Sequence, residues 1–305
     1  MFNTVSDTTN RARSFARDGF THLAGFARPE LIALLTAIAD ETVERPDPAR
    51  SSYGNDFSGL TYSAHTRALS QALTGSRELA SALGEITGKE LAVTQGIVFE
   101  IAPGKRGFHW HFGLISFCFL HPCDFGCSLW IPLDPVDPAA QHGGMAYVSK
   151  DYLGGDFRPM ARTIESAMRG DREQQLALRE IERQYMTEGT IIPRHQVSLL
   201  EQHRVEQAFE VGDALLFDKW IYHRSCALQG GARASRRAFV IRFVDAQARY
   251  SRELLTGVHA MLAGTGSKAP EIFELEDLET GDRIASSERC VRLGGGAQAS
   301  GAPPR

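Results

Sequence analysis

At Leu91 the chain changes period. Before it, apolar residues recur at helical spacing; after it, they gather in short β-branched and aromatic runs cut by Gly and Pro. A first batch of runs covers 91–101, 108–120, 127–133 and 145–148, and a second covers 207–211, 214–217, 221–226 and 237–244. Runs of this length and punctuation read as antiparallel strands. Helices first and strands in two batches fit a mainly β chain with flanking α-helices, a double-stranded β-helix of the jelly-roll, cupin-like kind.

The flanking elements follow from the same periodicities. Residues 14–19 read as the end of a short helix and Phe20–Leu23 as a strand. Pro29 opens a helix to about Val43 with Ile32, Leu35, Ile38 and Ala39 on one stripe. Residues 44–59 read as a loop rich in Pro, Ser, Asp and Gly, and 63–86 as one helix with Leu69, Leu73, Leu79 and Leu83 buried. Residues 160–187 turn helical and charged inside an insertion spanning about 155–205, which is expected to act as a lid between the two strand batches. A further helix is expected near 251–262. Residues 1–293 are expected to form one domain, and 294–305 (GGGAQASGAPPR) a disordered tail.

Composition removes several functions. A net charge of −4 with dispersed Lys and Arg gives no surface for nucleic acid. No apolar run reaches the ~18 residues of a membrane span, and the polar opening Met1–Arg13 lacks a secretory core. Five cysteines, an odd number without a small-scaffold spacing, fit buried free thiols and a cytoplasmic setting. Cys123 and Cys127 with His109 or His121 have poor spacing for a structural zinc. The remaining histidines (His22, His65, His142, His195, His203 and His259) are expected to be structural or exposed.

The chemistry sits in Phe108-His109-Trp110-His111-Phe112-Gly113, in Tyr222-His223-Arg224-Ser225 and in Arg236. His111 lies in the first strand batch and His223 in the second, where a jelly roll can bring them together. Two imidazoles with open coordination positions suit Fe(II), and the open face admits a bidentate 2-oxo acid and then O2. Arg236, thirteen residues after His223, is placed to take the far carboxylate of 2-oxoglutarate. Strand alternation sends Arg237 to the opposite face. Ser225 shares His223's face and is a candidate donor to the cosubstrate; Gln95 and Thr94 are candidates for its other carboxylate.

These residues resemble the phytanoyl-CoA dioxygenase family of Fe(II)/2-oxoglutarate-dependent enzymes. Phe15–Phe20 with Pro29-Glu30-Leu31 is similar to the family's opening. Trp110-His111 is similar to its Trp-His-x-Asp motif, and Gln141–Val148 to its Gly-rich segment. Gly212–Phe217, His223-Arg224-Ser225 and Arg236-Arg237-Ala238 are similar to its closing strands. The resemblance spans about 14–250. It implies a double-stranded β-helix, His111 and His223 as iron ligands and Arg236 as the cosubstrate anchor.

The departure is Gly113, where the motif carries a carboxylate. Relatives with Gly or Ala there include aliphatic halogenases, and losing a negative charge at an open position favours chloride. Arg242, on the same strand face as Arg236, is similar in spacing to an arginine near the halide. Other readings stay open: His109 as a third imidazole, Glu100 or Asp124 as a carboxylate from elsewhere, or a non-catalytic jelly-roll binding protein. The expected activity is oxidative functionalisation of an aliphatic C–H bond of a small molecule, by hydroxylation or chlorination.

Overall fold

In the computed structural model, residues 1–44, 59–63, 67–113, 115–121, 123–153, 166, 169–173, 175–176, 194–263 and 275–294 are described. The chain opens with helix α1 (Thr8–Asp18), capped by the Asp7 carboxylate on the Asn10 N–H. It stops where Gly19 takes φ 78° and returns its N–H to the Phe15 carbonyl. Glycine is required there twice over, because an added Cβ would also sit 2.4 Å from Ile221 Cδ1. Strand β1 (Phe20–Leu23) and helix α2 (Pro29–Glu44) follow as expected.

The next stretch departs from expectation in two ways. Gly59–Ser63 is a strand, β2, paired antiparallel with β3 (Leu91–Ile101). The single helix over 63–86 is two helices, α3 (Arg67–Thr74) and α4 (Arg77–Thr87). The break has a local cause: the Ser76 hydroxyl caps α4 by accepting the Leu79 N–H, so a new helix starts after Gly75.

The remaining strands are β4 (Gly126–Pro132), β5 (Met145–Tyr147), β6 (Val205–Glu206), β7 (Ala214–Asp218), β8 (His223–Ser225), β9 (Arg236–Asp245) and β10 (Val291–Arg292). Helices α5 (Arg194–His203) and α6 (Arg252–Ala263) flank them. The run 108–120 is not a strand. It contributes only isolated bridges, His111 to His223 and Leu120 to Tyr250, around a 3-10 turn at Ile115–Phe117. Its aromatic residues pack as walls rather than as a paired ladder. The run 207–211 likewise reduces to β6 just before it and a bridge from Phe209 to Val136. Apart from α5 and a few residues between 166 and 176, the insertion falls outside the described residues, as does the tail after Gly294.

Two antiparallel sheets result, ordered β1-β7-β4-β9-β3-β10 with β2 also on β3, and β6-β5-β8. This is the expected mainly β jelly roll with flanking helices. Strand β9 shows the layering. Phe239, Ile241 and Phe243 join Phe15, Leu35 and Leu83 under the helices, whereas Ala238 and Val240 join Trp130, Met145, Tyr147 and Phe217 between the sheets. The inner face is where residues from both sheets converge. Among the described residues no helix is long and apolar enough to cross a membrane. Cys118, Cys127, Cys226 and Cys290 are buried free thiols; Cys123 is exposed, against expectation.

Candidate metal centre

His111 and His223 meet on this inner face. Their backbones exchange two hydrogen bonds, His111 N–H to the His223 carbonyl at 3.0 Å and the reverse at 2.9 Å. The rings come within 4.2 Å centroid to centroid. Close cross-strand pairing of this kind brings the side chains to one spot despite their separation in sequence.

Each imidazole is oriented by its own chain. Nδ1 of His111 faces the His109 carbonyl at 2.7 Å, and Nδ1 of His223 faces the Ile221 carbonyl at 2.8 Å. A carbonyl only accepts, so Nδ1 carries the proton in both rings and Nε2 keeps its lone pair. Burial drives both pKa values down, that of His111 to about 4, with the Arg242 charge acting in the same direction. Phe108 lies 5.1 Å from His111 and Phe217 lies 4.9 Å from His223, ring to ring. Two neutral imidazoles with free lone pairs in an aromatic enclosure are the donor set a divalent transition metal takes.

The far side of the same cavity is cationic. Arg236 is 3% exposed, and among the described residues its Nε and Nη1 have no hydrogen-bond partner. Burial lowers its pKa to about 10, only partly opposed by Asp134 and Cys226. Its guanidinium lies 5.7 Å from the Trp130 ring. A buried charge with open donors is costly to keep, by about 1–3 kcal/mol or more for each unmet group. An anion fits here, and a planar carboxylate fits best. Arg237, one residue on, faces the helices and pairs with Asp40 at 2.5 Å, as strand alternation requires.

Other candidates take different places. Gly113 lines the cavity and gives its N–H to the Lys219 carbonyl at 2.7 Å; an added Cβ would lie 3.3 Å from that oxygen. Ser225 lines the cavity too, and its hydroxyl oxygen accepts the Phe108 N–H at 3.0 Å. Arg242 lines the cavity while its Nη1 donates to Gln95 Oε1 at 2.7 Å. Gln95 also donates to the Ser116 carbonyl, so its amide braces Arg242. The Thr94 hydroxyl is turned to the Arg242 carbonyl, at the irregularity between Val93 and Gln95.

The proposed third ligands do not assemble. Glu100 lies on the opposite face of β3 from Phe99 and pairs across to Arg237. Asp124 sits before β4, where its carbonyl accepts from Lys219 Nζ. His109 offers its carbonyl to His111 and does not line the cavity. Among the described residues, no three of His, Cys, Asp and Glu come together as a metal-holding group. The zinc reading of Cys123 and Cys127 fails on the same ground. Of the histidines expected to be structural, His22 pairs with Asp213, His142 with Glu206, and His203 stacks on Tyr152.

Three residues escaped the sequence reading. Lys219 lines the cavity yet is 1% exposed; burial lowers its pKa to about 8, against the pull of Asp218 and Asp124. Tyr147, buried beside His223 in register, has a hydroxyl with no partner among the described residues. Glu201 bonds both Trp110 and Arg224. None carries a local signal, because each depends on what the fold packs around it.

A family model described as phytanoyl-CoA dioxygenase matches residues 15–238. No curated protein sequence matches the chain. Among solved structures, the non-heme alpha ketoglutarate dependent epimerase SnoN from nogalamycin biosynthesis is similar with a TM-score of 0.60 at 16% identity, over 94% of this chain and 98% of SnoN. The carbocyclase SnoK from the same biosynthesis gives 0.59 at 15%, over 95% and 100%. EctD from S. alaskensis, solved with 2-oxoglutarate and 5-hydroxyectoine, gives 0.57 at 15%, over 92% and 86%. At these identities the likeness is one of fold.

Proposed function

The chain belongs to the phytanoyl-CoA dioxygenase family of Fe(II)/2-oxoglutarate-dependent enzymes, and on that premise we propose that it functionalises an aliphatic C–H bond of a small molecule in natural-product biosynthesis. Two neighbours in fold act in nogalamycin biosynthesis, which supports the setting. In this reading His111 and His223 hold iron through Nε2, and Arg236 holds the far carboxylate of 2-oxoglutarate. The observation that carries it is the pairing of two neutral imidazoles with an unmet, buried guanidinium in one cavity. When bound, iron with 2-oxoglutarate and O2 supplies the oxidising power, at the cost of converting the 2-oxo acid to succinate.

The chain's own residues supply position and dryness. The carbonyls of His109 and Ile221 keep each Nδ1 protonated, so both ligands present their lone pairs without changing tautomer. Phe99, Phe108, Phe217 and Trp130 wall the cavity against bulk water. Ser225 keeps its hydroxyl hydrogen for an acceptor in the cavity, since its oxygen already accepts from Phe108. Arg242, braced by Gln95, offers a second cation at the imidazole end.

The reading is tested by succinate release. Purified protein with Fe(II), 2-oxoglutarate and O2 should form succinate even without substrate, and omission of iron should stop it; a non-catalytic binding protein forms none. Gly113 favours a second outcome at the same site, chlorination, because no carboxylate stands at that position and a small anion can. Gly113→Asp should abolish any chlorinated product, the new Cβ shifting the Lys219 carbonyl by only a few tenths of an ångström. A hydroxylating enzyme would show no chloride dependence before or after the change.

A further inference from the structure

The segments carrying His111 and His223 form a short antiparallel ribbon, and a ribbon has two faces. The imidazoles share the inner one. The side chains of their immediate neighbours Trp110 and Arg224, the second of which also borders the cavity, meet on the outer one. There the Arg224 guanidinium lies 5.3 Å from the Trp110 ring. One carboxylate holds both. Glu201 Oε1 accepts Trp110 Nε1 at 2.7 Å and Arg224 Nε at 2.8 Å, and Oε2 accepts Arg224 Nη2 at 3.1 Å.

Glu201 belongs to α5, the helix that closes the insertion. Next to it Leu200 is fully buried against Trp110, Tyr222 and Cys226, so the helix is seated on the back of the metal ribbon. Burial raises the Glu201 pKa, but the bonds from Arg224 and Trp110 more than offset this and leave it below the usual carboxylate range. The clamp is therefore ionic at neutral pH, and the Arg224 fork is held in a fixed plane. Each clamped residue adjoins one of the two histidines, Trp110 beside His111 and Arg224 beside His223.

We propose that Glu201 is a positioning residue for the metal pair, clamping the outer cross-strand partners so that the spacing of His111 and His223 depends on the docking of α5. The inference rests on those two histidines being the ligands. It makes α5 a structural partner of the metal centre.

Co(II) is a suitable probe, titrated by its visible absorption into the full-length protein with 2-oxoglutarate present. Loss of a residue that supports metal ligands weakens affinity roughly 10–100-fold, and Glu201→Ala should fall in that range. Glu201→Gln, which keeps an oxygen acceptor for Trp110, should recover part of the loss. The melting temperature of the metal-free protein should stay within a few degrees of wild type for Glu201→Gln. Wild-type affinity in Glu201→Ala overturns the proposal. So does a Glu201→Gln protein whose affinity and metal-free melting temperature fall together, since that describes a merely structural anchor. A wild-type protein that takes up no cobalt removes the ligand assignment as well, which separates the two failures.

Discussion

The two ends of the cavity are built on opposite principles. At the imidazole end the ligand rings are set in advance: both Nδ1 atoms have carbonyl partners, both rings are neutral, and aromatic walls close around them. At the guanidinium end the structure is left open, with a buried cation whose Nε and Nη1 meet nothing among the described residues. A settled end can wait for a metal without cost. An open end is held in an unfavourable state that an anion relieves, and on the proposed reading that anion is the far carboxylate of 2-oxoglutarate.

The sharpest way to break this contrast is Arg236→Leu. Removing one partner of a buried charge pair costs about 3 kcal/mol or more, so 2-oxoglutarate affinity should drop roughly a hundredfold or more by anaerobic calorimetry. The metal-free protein should meanwhile melt no lower than wild type, because an uncompensated charge has gone. Arg237→Leu, one residue along the same strand, is the control. It loses partly exposed pairings to Asp40 and, at 3.7 Å, to Asp134, each within about 1 kcal/mol, and should bind 2-oxoglutarate as wild type does.

The imidazole end should fail through packing instead. Gly107 has φ 68°, and a Cβ there would lie 2.3 Å from Ser225 Cβ. Gly107→Ala should destabilise the protein by about 1–3 kcal/mol in urea melts, through strain at a positive φ and displacement of Ser225. Lys219 tests the same end by pH. Its folded pKa is about 8 against an ordinary 10.5, so between these values the unfolded chain holds a proton that the folded one has released. Stability contributed at this position must therefore rise with pH across that window, by up to about 3 kcal/mol relative to a Lys219→Met protein. Parallel stability curves for the two proteins from pH 8 to 10.5 would contradict the burial of that charge. The smallest effect is expected from Ser225→Ala, a few-fold weakening of cosubstrate binding, as for one neutral hydrogen bond.

Much of this was legible in the chain, and the reasons are local. The period-2 pattern of β9 separates Arg236 from Arg237, and the Trp110-His111 and His223-Arg224-Ser225 motifs mark the two segments whose histidines meet. The failures are also physical. The run 108–120 has the composition of a strand, but its aromatic side chains build walls around a turn, which composition alone does not distinguish. The leucine stripe runs unbroken through 69–83, so its period alone does not show the Ser76 cap that splits α3 from α4. Gln95 was expected beside the cosubstrate; its partners in the structure are Arg242 and the Ser116 carbonyl, contacts that strand alternation alone does not give. Lys219, Tyr147 and Glu201 depend on contacts over long sequence distances, and no pattern in the chain announces them.

The most direct test is an anaerobic titration of 2-oxoglutarate into the Fe(II)-loaded protein, following the visible absorption of the metal-bound 2-oxo acid, in wild type and in His111→Ala and His223→Ala. The band should appear and saturate in wild type and be absent from both variants. A band of equal strength in either variant would place the metal elsewhere and contradict the account.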